Sequence, residues 1–120
     1  MFVAIGGSRH FCDREVVFSV LDQYFMALEN EKPVILSGHS AGVDRLAEEY
    51  ADLRGYEVQL FLPDWSKYGR AAGPKRNLEM VALADGVIAF WDHTSRGTAS
   101  LIACARKLGR SLLIVDIEPQ

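Results

Sequence analysis

The sequence has little of three features that would by themselves dictate its class. Its two cysteines, Cys12 and Cys104, show no spacing typical of a disulfide framework, so reduced thiols are expected. No run approaches the roughly 18 consecutive apolar residues that a membrane-spanning helix needs. Residues 2–5 are apolar but follow no basic start and precede no cleavage site. We therefore expect a first strand at residues 2–5, no membrane segment and a cytoplasmic protein.

The sequence also has no excess of basic residues. Its net charge of −3 makes general nucleic-acid binding an unfavourable hypothesis, because such binding needs many Lys and Arg side chains. The charge is uneven: residues 64–76 hold Lys67, Arg70, Lys75 and Arg76 against one acid, so this segment is locally +3 and the remainder carries −6. A short basic segment on an acidic body favours a small anion as partner.

What is present is a regular alternation of apolar runs and helical patterns. With 49% hydrophobic residues, the chain can form one domain over residues 1–120. Continuous runs rich in Val, Ile, Leu and Phe are typical of parallel strands buried on both faces. They predict strands at 2–5, 33–36, 57–62, 86–91 and 111–116, with helices at 13–30, 42–54, 73–84 and 98–108.

This alternation predicts a Rossmann-like α/β/α domain with a five-stranded parallel sheet. We expect the strand order 3-2-1-4-5, in which strands 1 and 4 are neighbours whose connections leave to opposite faces. Open α/β sheets bind ligands at such a switch point, beyond the carboxyl ends of the strands. The loops after strands 1 and 4 should therefore meet across one crevice, with those after strands 2 and 3 along one side.

The glycine-rich and polar sequence follows the predicted strand ends. Glycines permit close backbone approach, serine and arginine suit phosphate, and small residues before a helix expose its amides to an anion. Each loop also has a structural explanation: a tight turn with a surface arginine, packing of Trp65, or capping by Ser95 or Thr98. For Asp44 the alternatives are a favourable carboxylate–dipole interaction at the helix start and a role in holding ribose hydroxyls. The candidate ligand-binding residues are Gly6, Gly7, Ser8, Arg9, Ser37, Gly38, Gly42, Asp44, Trp65, Arg70, Arg76, Asn77, Ser95, Arg96, Gly97 and Thr98.

Within these loops, Trp65 and Tyr68 are candidates for stacking on a base, and Arg70 and Arg76 for contacting phosphate. The connection that contains them is long for so small a domain, which is typical of functional loops. The three histidines, His10, His39 and His93, also fall at this edge, but their spacing matches no metal motif, so we expect neither metal nor cofactor.

Four sequence blocks together resemble the SLOG superfamily and, within it, the compact YspA-type branch. They read G-G-S-R from Gly6, S-G-x-x-x-G-V-D-x-L-A from Ser37, W-x-x-Y-G-R-A-A-G-P-x-R-N-x-x-M from Trp65, and A-D-x-V-I-A-F-W-x-x-x-S-R-G-T from Ala84. That superfamily is Rossmann-like and includes the phosphoribohydrolases called "lonely guy", the DNA-processing protein DprA and domains thought to sense nucleotides. The resemblance implies a nucleotide-related ligand and, because the family's enzymes typically pair, a homodimer or larger assembly.

The resemblance includes the motif positions expected to bind phosphate but not the catalytic glutamate. Arg76, Met80, Gly97 and Thr98 match the phosphoribohydrolase motifs, whereas Asn77 stands in place of a lysine and Leu101 in place of the catalytic glutamate. Leucine cannot act as an acid or base. If the chain hydrolyses an N-glycosidic bond, the candidate catalytic residues are Arg76 and a substitute acid among Asp44, Asp64 and Asp92.

Three functional hypotheses remain open on the sequence alone. The first is a module that senses, carries or sequesters a small phosphorylated nucleoside or nucleotide derivative. The second is a nucleotide N-glycosidase with a non-standard acid, and the third, disfavoured by the net charge, is a DNA-associated module. For self-association, Phe18 and Phe25 beside the buried stripe of the first helix either widen that stripe or form a contact patch.

Overall fold

Parallel strands and helices alternate along the chain in the computed structural model, which describes residues 1–28 and 31–119. The strands are β1 (Phe2–Gly7), β2 (Val34–Ser37), β3 (Glu57–Leu60), β4 (Gly86–Trp91) and β5 (Ser111–Asp116). The helices are α1 (Arg14–Met26), α2 (Val43–Arg54), α3 (Trp65–Tyr68), α4 (Ala72–Leu83) and α5 (Arg96–Lys107), with a 3-10 turn at Gly69–Ala71.

The five strands form one parallel sheet in the order β3-β2-β1-β4-β5, which confirms the predicted topology. In the centre of the sheet, β1 pairs with β4 in a register that sets Gly6 opposite Ala89 and Gly7 opposite Phe90. The connections leaving β1 and β4 run to opposite faces of the sheet. Their divergence opens a crevice at the carboxyl edge, as expected for this strand order.

The sheet has a hydrophobic core on each face, which gives the Rossmann-like three-layer architecture. On one face, Val3 and Ile5 pack with α1 and α2, and on the other, Ala4 packs with α4 and α5. Successive strand side chains point to opposite faces, so a strand buried on both faces has no polar positions. The uninterrupted apolar run of β1 follows from this arrangement.

Several element boundaries differ from the predicted ones. β1 continues through Gly6 and Gly7, which were expected in a turn, because both residues pair with β4. β2 includes Ser37, and β3 ends at Leu60 rather than at residue 62. α1 ends at Met26, short of the predicted residue 30, and residues 29 and 30 lie outside the described part of the chain.

The connection after β3 is largely helical, which corrects the expectation of a long loop. Asp64 caps α3 by accepting a hydrogen bond from Lys67 N at 3.1 Å. The 3-10 turn then leads directly into α4, so Gly73 and Pro74 lie in the first turn of a helix. Proline is tolerated there because a first-turn amide has no acceptor within its helix.

The aromatic side chains of α1 widen its buried stripe, which removes the contact-patch interpretation. Phe25 is buried, and the ring of Phe18 meets that of Tyr50 edge-on at 5.2 Å. Phe11, which precedes the helix, is buried as well.

Both cysteines are free, Cys12 on the surface and Cys104 partly covered. Among the described residues, no helix has the length and apolar character needed to cross a bilayer.

Candidate ligand-binding site

A cleft of about 650 Å³ opens at the carboxyl edge of the sheet, within the size range of small-molecule sites. It brings together the sixteen candidate ligand-binding residues except Ser37 and Gly42. Nine further residues complete its lining. These are His10, Ser40, Gly73, Pro74, Met80, Asp92, Thr94, Ser100 and Leu101.

The end of β1 forms part of the floor, and its glycines permit dense packing there. A Cβ atom on Gly7 would lie 2.6 Å from the carbonyl oxygen of Phe90 and 2.8 Å from Val43 Cγ2. Ser8, which is buried, donates its backbone N–H to that same Phe90 oxygen at 3.2 Å. The strand therefore passes between β4 and α2 with no room for a side chain at residue 7.

The loop after β2 is shaped by Gly42, which precedes α2 with a φ of 76°. A Cβ atom there would lie 2.4 Å from the carbonyl oxygen of Ser8, so only glycine fits. Ser37 is also structural, since its buried hydroxyl donates to Glu48 at 2.7 Å. These contacts explain why Ser37 and Gly42 lie outside the cleft lining.

Asp44 lies in the first turn of α2 and lines the floor while only 6% exposed. Its Oδ2 accepts a hydrogen bond from Ser40 N at 3.1 Å. Burial raises its pKa from 3.8 to about 6, more than the Ser40 hydrogen bond and the positive charge of Arg76 lower it. A buried carboxylate on a helix N-terminus thus remains partly protonated near neutral pH.

Arg76 and Asn77, on α4, connect three parts of the wall. Arg76 Nη1 donates to the carbonyl oxygens of Gly38 (2.8 Å) and Phe61 (3.3 Å), and its Nε donates to Asn77 Oδ1 at 2.9 Å. Asn77 Nδ2 in turn donates to Gly97 O and Ser100 Oγ, at 3.3 and 3.2 Å. Among the described residues, the Nη2 group of Arg76 has no acceptor, so it is the part of this guanidinium open to a ligand.

The outer wall is formed by Trp65 and Arg70, both exposed. The indole of Trp65 is 57% exposed, and its Cη2 lies 3.4 Å from the position of a Cβ on Gly73. Trp65 therefore contacts the first turn of α4 while leaving most of its surface to the cleft and solvent. Tyr68, the second stacking candidate, lines a smaller neighbouring cavity instead.

The loop after β4 is held by Asp92, which is buried and accepts hydrogen bonds from the backbone N–H groups of Thr94 (2.9 Å) and Ser95 (2.8 Å). These bonds lower the pKa of its carboxyl. Ser95 caps α5, accepting from Thr98 N at 3.4 Å, so Arg96, Gly97 and Thr98 form the first turn of that helix. These three residues line the cleft, so the positive end of the helix dipole lies at its wall.

Of the three acids proposed as substitutes for the missing glutamate, Asp44 is the one whose position fits that role. Asp64 caps α3 and is absent from the cleft lining, and Asp92 is occupied by two amides. Leu101 is buried beneath the cleft, and its Cδ2 lies 2.8 Å from the position of a Cβ on Gly6. Asp44 Oδ1 lies 3.6 Å from that same point, so a carboxylate from α2 stands beside the leucine.

The histidines have separate partners. His39 Nδ1 lies 2.9 Å from Glu48 Oε1, and His93 Nε2 lies 2.8 Å from Asp116 Oδ1. Only His10 lines the cleft. Across the described residues, no group of three or more His, Cys, Asp or Glu side chains is arranged to hold a metal.

The sequence placed Met80 and Leu101 at positions of the phosphoribohydrolase motifs but did not predict them as ligand-binding residues. Met80 lines the cleft together with Leu101, and both are buried. Each lies one turn beyond a polar site residue on its helix, Met80 after Arg76 and Leu101 after Gly97. That four-residue spacing is the signal from which they could have been predicted.

This fold is that of a SLOG-type Rossmann-like domain. Residues 1–68, more than half of the chain, match the YspA, cpYpsA-related SLOG family. The chain belongs to that family, which confirms the resemblance seen in the sequence. It is also 34% identical over 116 residues to the Gene 61 protein of Mycobacterium phage D29, an alignment that covers 89% of this chain and 90% of the phage protein.

A solved structure shares the fold. DNA processing protein A (DprA) from Streptococcus pneumoniae superposes with a TM-score of 0.72 over 93% of this chain, at 22% sequence identity. This chain covers 49% of the DprA chain, about half of its length. At that identity the likeness concerns the fold alone.

Proposed function

We propose that the cleft binds a small phosphorylated nucleoside or nucleotide derivative, and that the chain acts as a module that senses, carries or sequesters it. The observation that supports this most directly is the charge of the lining. Four arginines, at positions 9, 70, 76 and 96, face two aspartates in a molecule whose overall charge is −3. Cations concentrated in one concave site of an acidic protein favour a small anionic ligand.

The phosphate is best accommodated at the start of α5. The cap occupies the amide of Thr98, which leaves those of Arg96 and Gly97 for a ligand, and Arg96 adds an exposed guanidinium. A helix N-terminus attracts anions through its free N–H groups and its dipole. Trp65, which contacts the first turn of α4, offers an exposed indole for a base.

Isothermal titration calorimetry with a panel of nucleoside monophosphates, ADP-ribose derivatives and cyclic nucleotides tests the proposal. We expect at least one compound to bind with a Kd below a millimolar. Arg96→Gln should weaken its binding about tenfold, since a charge-assisted hydrogen bond to phosphate is lost.

Arg106→Gln is the matched control, because Arg106 is also exposed on α5 but lies in its last turn, away from the cleft. This variant should bind like the wild type. Absence of binding across the whole panel at millimolar concentration would refute the proposal.

Hydrolysis of an N-glycosidic bond is the second candidate function, and one observation favours it. Asp44 has a raised pKa and stands beside Leu101, the position at which the resemblance expects a catalytic glutamate. In this hypothesis water attacks the sugar C1′ atom, the bond from C1′ to the base nitrogen breaks, Asp44 takes a proton from the water, and the base leaves with a proton from solvent.

Release of free base from nucleoside monophosphates, followed by chromatography, tests this second function. Asp44→Asn should abolish release, because an amide cannot accept the proton, while ligand binding is retained. If the wild-type protein binds a monophosphate and leaves it intact over hours, the hydrolase hypothesis is excluded and the binding function stands.

Self-association is also a proposal, supported by the family's tendency to pair and no longer by the phenylalanines of α1. Light scattering at tens of micromolar tests it. A homodimer or larger species is expected, and a monomer would contradict it.

A further inference from the structure

The middle of the cleft floor has a different chemistry from its rim. Whereas Arg9, Arg70 and Arg96 are exposed, the floor holds the buried carboxylate of Asp44 close to Gly6 of β1 and to the half-buried Arg76 of α4. A phosphate placed on the floor would bring two negative charges into contact at low local dielectric, which is costly. The phosphate must therefore lie away from Asp44, and the floor must face another part of the ligand.

A buried carboxylate with spare acceptor capacity favours a neutral donor. Asp44 Oδ2 accepts one hydrogen bond from Ser40, and the amide of Gly7 also interacts with the carboxylate. A carboxylate has about four lone-pair positions, so these two amides leave acceptor capacity. Hydroxyl groups donate hydrogen bonds without adding charge, and a sugar carries two of them on adjacent carbons.

The order of groups along the cleft places a sugar at this floor. Trp65 contacts Gly73 in the first turn of α4, and Asn77, one turn later, hydrogen-bonds Gly97 at the start of α5. Asp44 interacts with Arg76, the neighbour of Asn77, and so faces the part of α4 that joins these two contacts. With a base on Trp65 and a phosphate on α5, the part of a nucleotide in between is its sugar.

We infer that Asp44 is a specificity-determining residue that accepts hydrogen bonds from the sugar hydroxyls, so that the site selects ribonucleotide derivatives over 2′-deoxyribonucleotides. This inference rests on the proposed nucleotide-binding function and adds the sugar to it. A site built to hydrogen-bond a hydroxyl rejects the analogue without it, because the buried acceptor is then left unpaired.

The test compares ligands that differ by one oxygen atom. Calorimetry at pH 7.5 measures the Kd of the four common nucleoside 5′-monophosphates and of their 2′-deoxy counterparts. Within the pair that binds most tightly, the deoxy compound should have a Kd at least tenfold higher. In Asp44→Asn that ratio should fall to about twofold, since a neutral amide oxygen is a weaker acceptor. Inorganic phosphate, which lacks the sugar, should bind both proteins alike.

The ratio of the deoxyribonucleotide Kd to the ribonucleotide Kd should also depend on pH. The charged groups around Asp44 are Arg76 from α4, which lowers its pKa, and Glu48 from its own helix, which raises it. Protonation below about pH 6 removes the charge-assisted bond, so the ribose preference should shrink between pH 7.5 and pH 5 in the wild type. It should stay constant in Asp44→Asn.

The outcomes separate this inference from the function on which it rests. Equal affinity of the wild type for a ribonucleotide and its deoxy counterpart would overturn the role of Asp44 while leaving nucleotide binding in place. A preference for ribose that persists unchanged in Asp44→Asn would also overturn it. Lack of binding by every nucleotide would refute both proposals together.

Discussion

The loop after β2 and the loop after β4 each place a buried aspartate at the same edge of the sheet, yet the two carboxyls have opposite pKa shifts. Asp44 accepts amide hydrogen bonds from Ser40 and Gly7, but desolvation by burial outweighs them, and its pKa rises to about 6. Asp92 accepts two short backbone hydrogen bonds that outweigh desolvation, and its pKa falls. The direction of each shift therefore follows from the balance between desolvation and hydrogen bonding at that carboxyl.

The two loops also differ in which residue fixes the backbone and which group is left open to the cleft. In the loop after β4, the aspartate holds the backbone and the helix end is left open to the cleft. In the loop after β2, Gly42 shapes the backbone and the aspartate is left facing the cleft. In the loop after β4 an aspartate side chain fixes the backbone, whereas in the loop after β2 a glycine does so.

The largest expected effect is on the free energy of unfolding, and it tests this difference by substituting one glycine on each side of the cleft. Gly42→Ala should lower the free energy of unfolding by about 4 kcal/mol, through backbone strain and overlap with Ser8 and Arg9. Gly97→Ala, in the opposite loop, meets nothing within 4 Å and should be neutral or slightly stabilising. Urea denaturation measures both, and equal losses would contradict the contrast.

The next effect is the pH dependence caused by Asp44. Because the folded protein raises its pKa from 3.8 to about 6, the group favours folding below about pH 4, and this contribution is lost as the pH rises through 6. The loss amounts to about 3 kcal/mol, at 1.36 kcal/mol per pKa unit. The difference in unfolding free energy between wild type and Asp44→Asn should therefore change by this amount between pH 4 and pH 7.5. A difference independent of pH would contradict it.

The stability that Asp92 contributes should depend on pH in the opposite sense. Asp92→Ala removes both backbone hydrogen bonds and should cost about 2 kcal/mol at pH 7. Since the folded protein lowers this pKa, the stabilisation is present above the unfolded value and is lost as the pH falls through the folded one. Thermal unfolding of wild type and variant at pH 7 and pH 3 measures this. Asp92→Asn, which keeps an acceptor oxygen, should lose less.

The smallest effect concerns binding across the cleft. Trp65→Ala should weaken nucleotide binding about tenfold through loss of stacking, with little change in Tm because the side chain is 57% exposed. Tyr68→Ala is the control, since Tyr68 lies on the same short helix but lines the smaller cavity. Calorimetry that finds the two variants equally weakened would argue against stacking on Trp65.

The sheet and the location of the cleft were predictable because they depend on local patterns. The apolar strands, the helices between them and the switch-point rule together indicated which loops would meet. The helical character of residues 65–83 was missed because Gly73 and Pro74 are typical of loops, although a helix accepts both in its first turn.

The site's electrostatics were not predictable from the sequence. The contacts of Asp44 with Gly7 and Arg76, and the approach of Leu101 to Gly6, join residues far apart in the chain. Nor did the pattern indicate that Gly6 and Gly7 belong to β1, because their pairing depends on the register with β4.

Asn77 has a consequence for how a ligand reaches the cleft. Its amide ties α4 to α5 through Gly97 and Ser100, and its oxygen holds Arg76 in place. Moving these helices apart would break both hydrogen bonds of the Asn77 amide group, so this pair of bonds holds that side of the cleft closed. Trp65 is exposed and lines the same cleft, so its indole is among the surfaces that a molecule entering from solvent would meet.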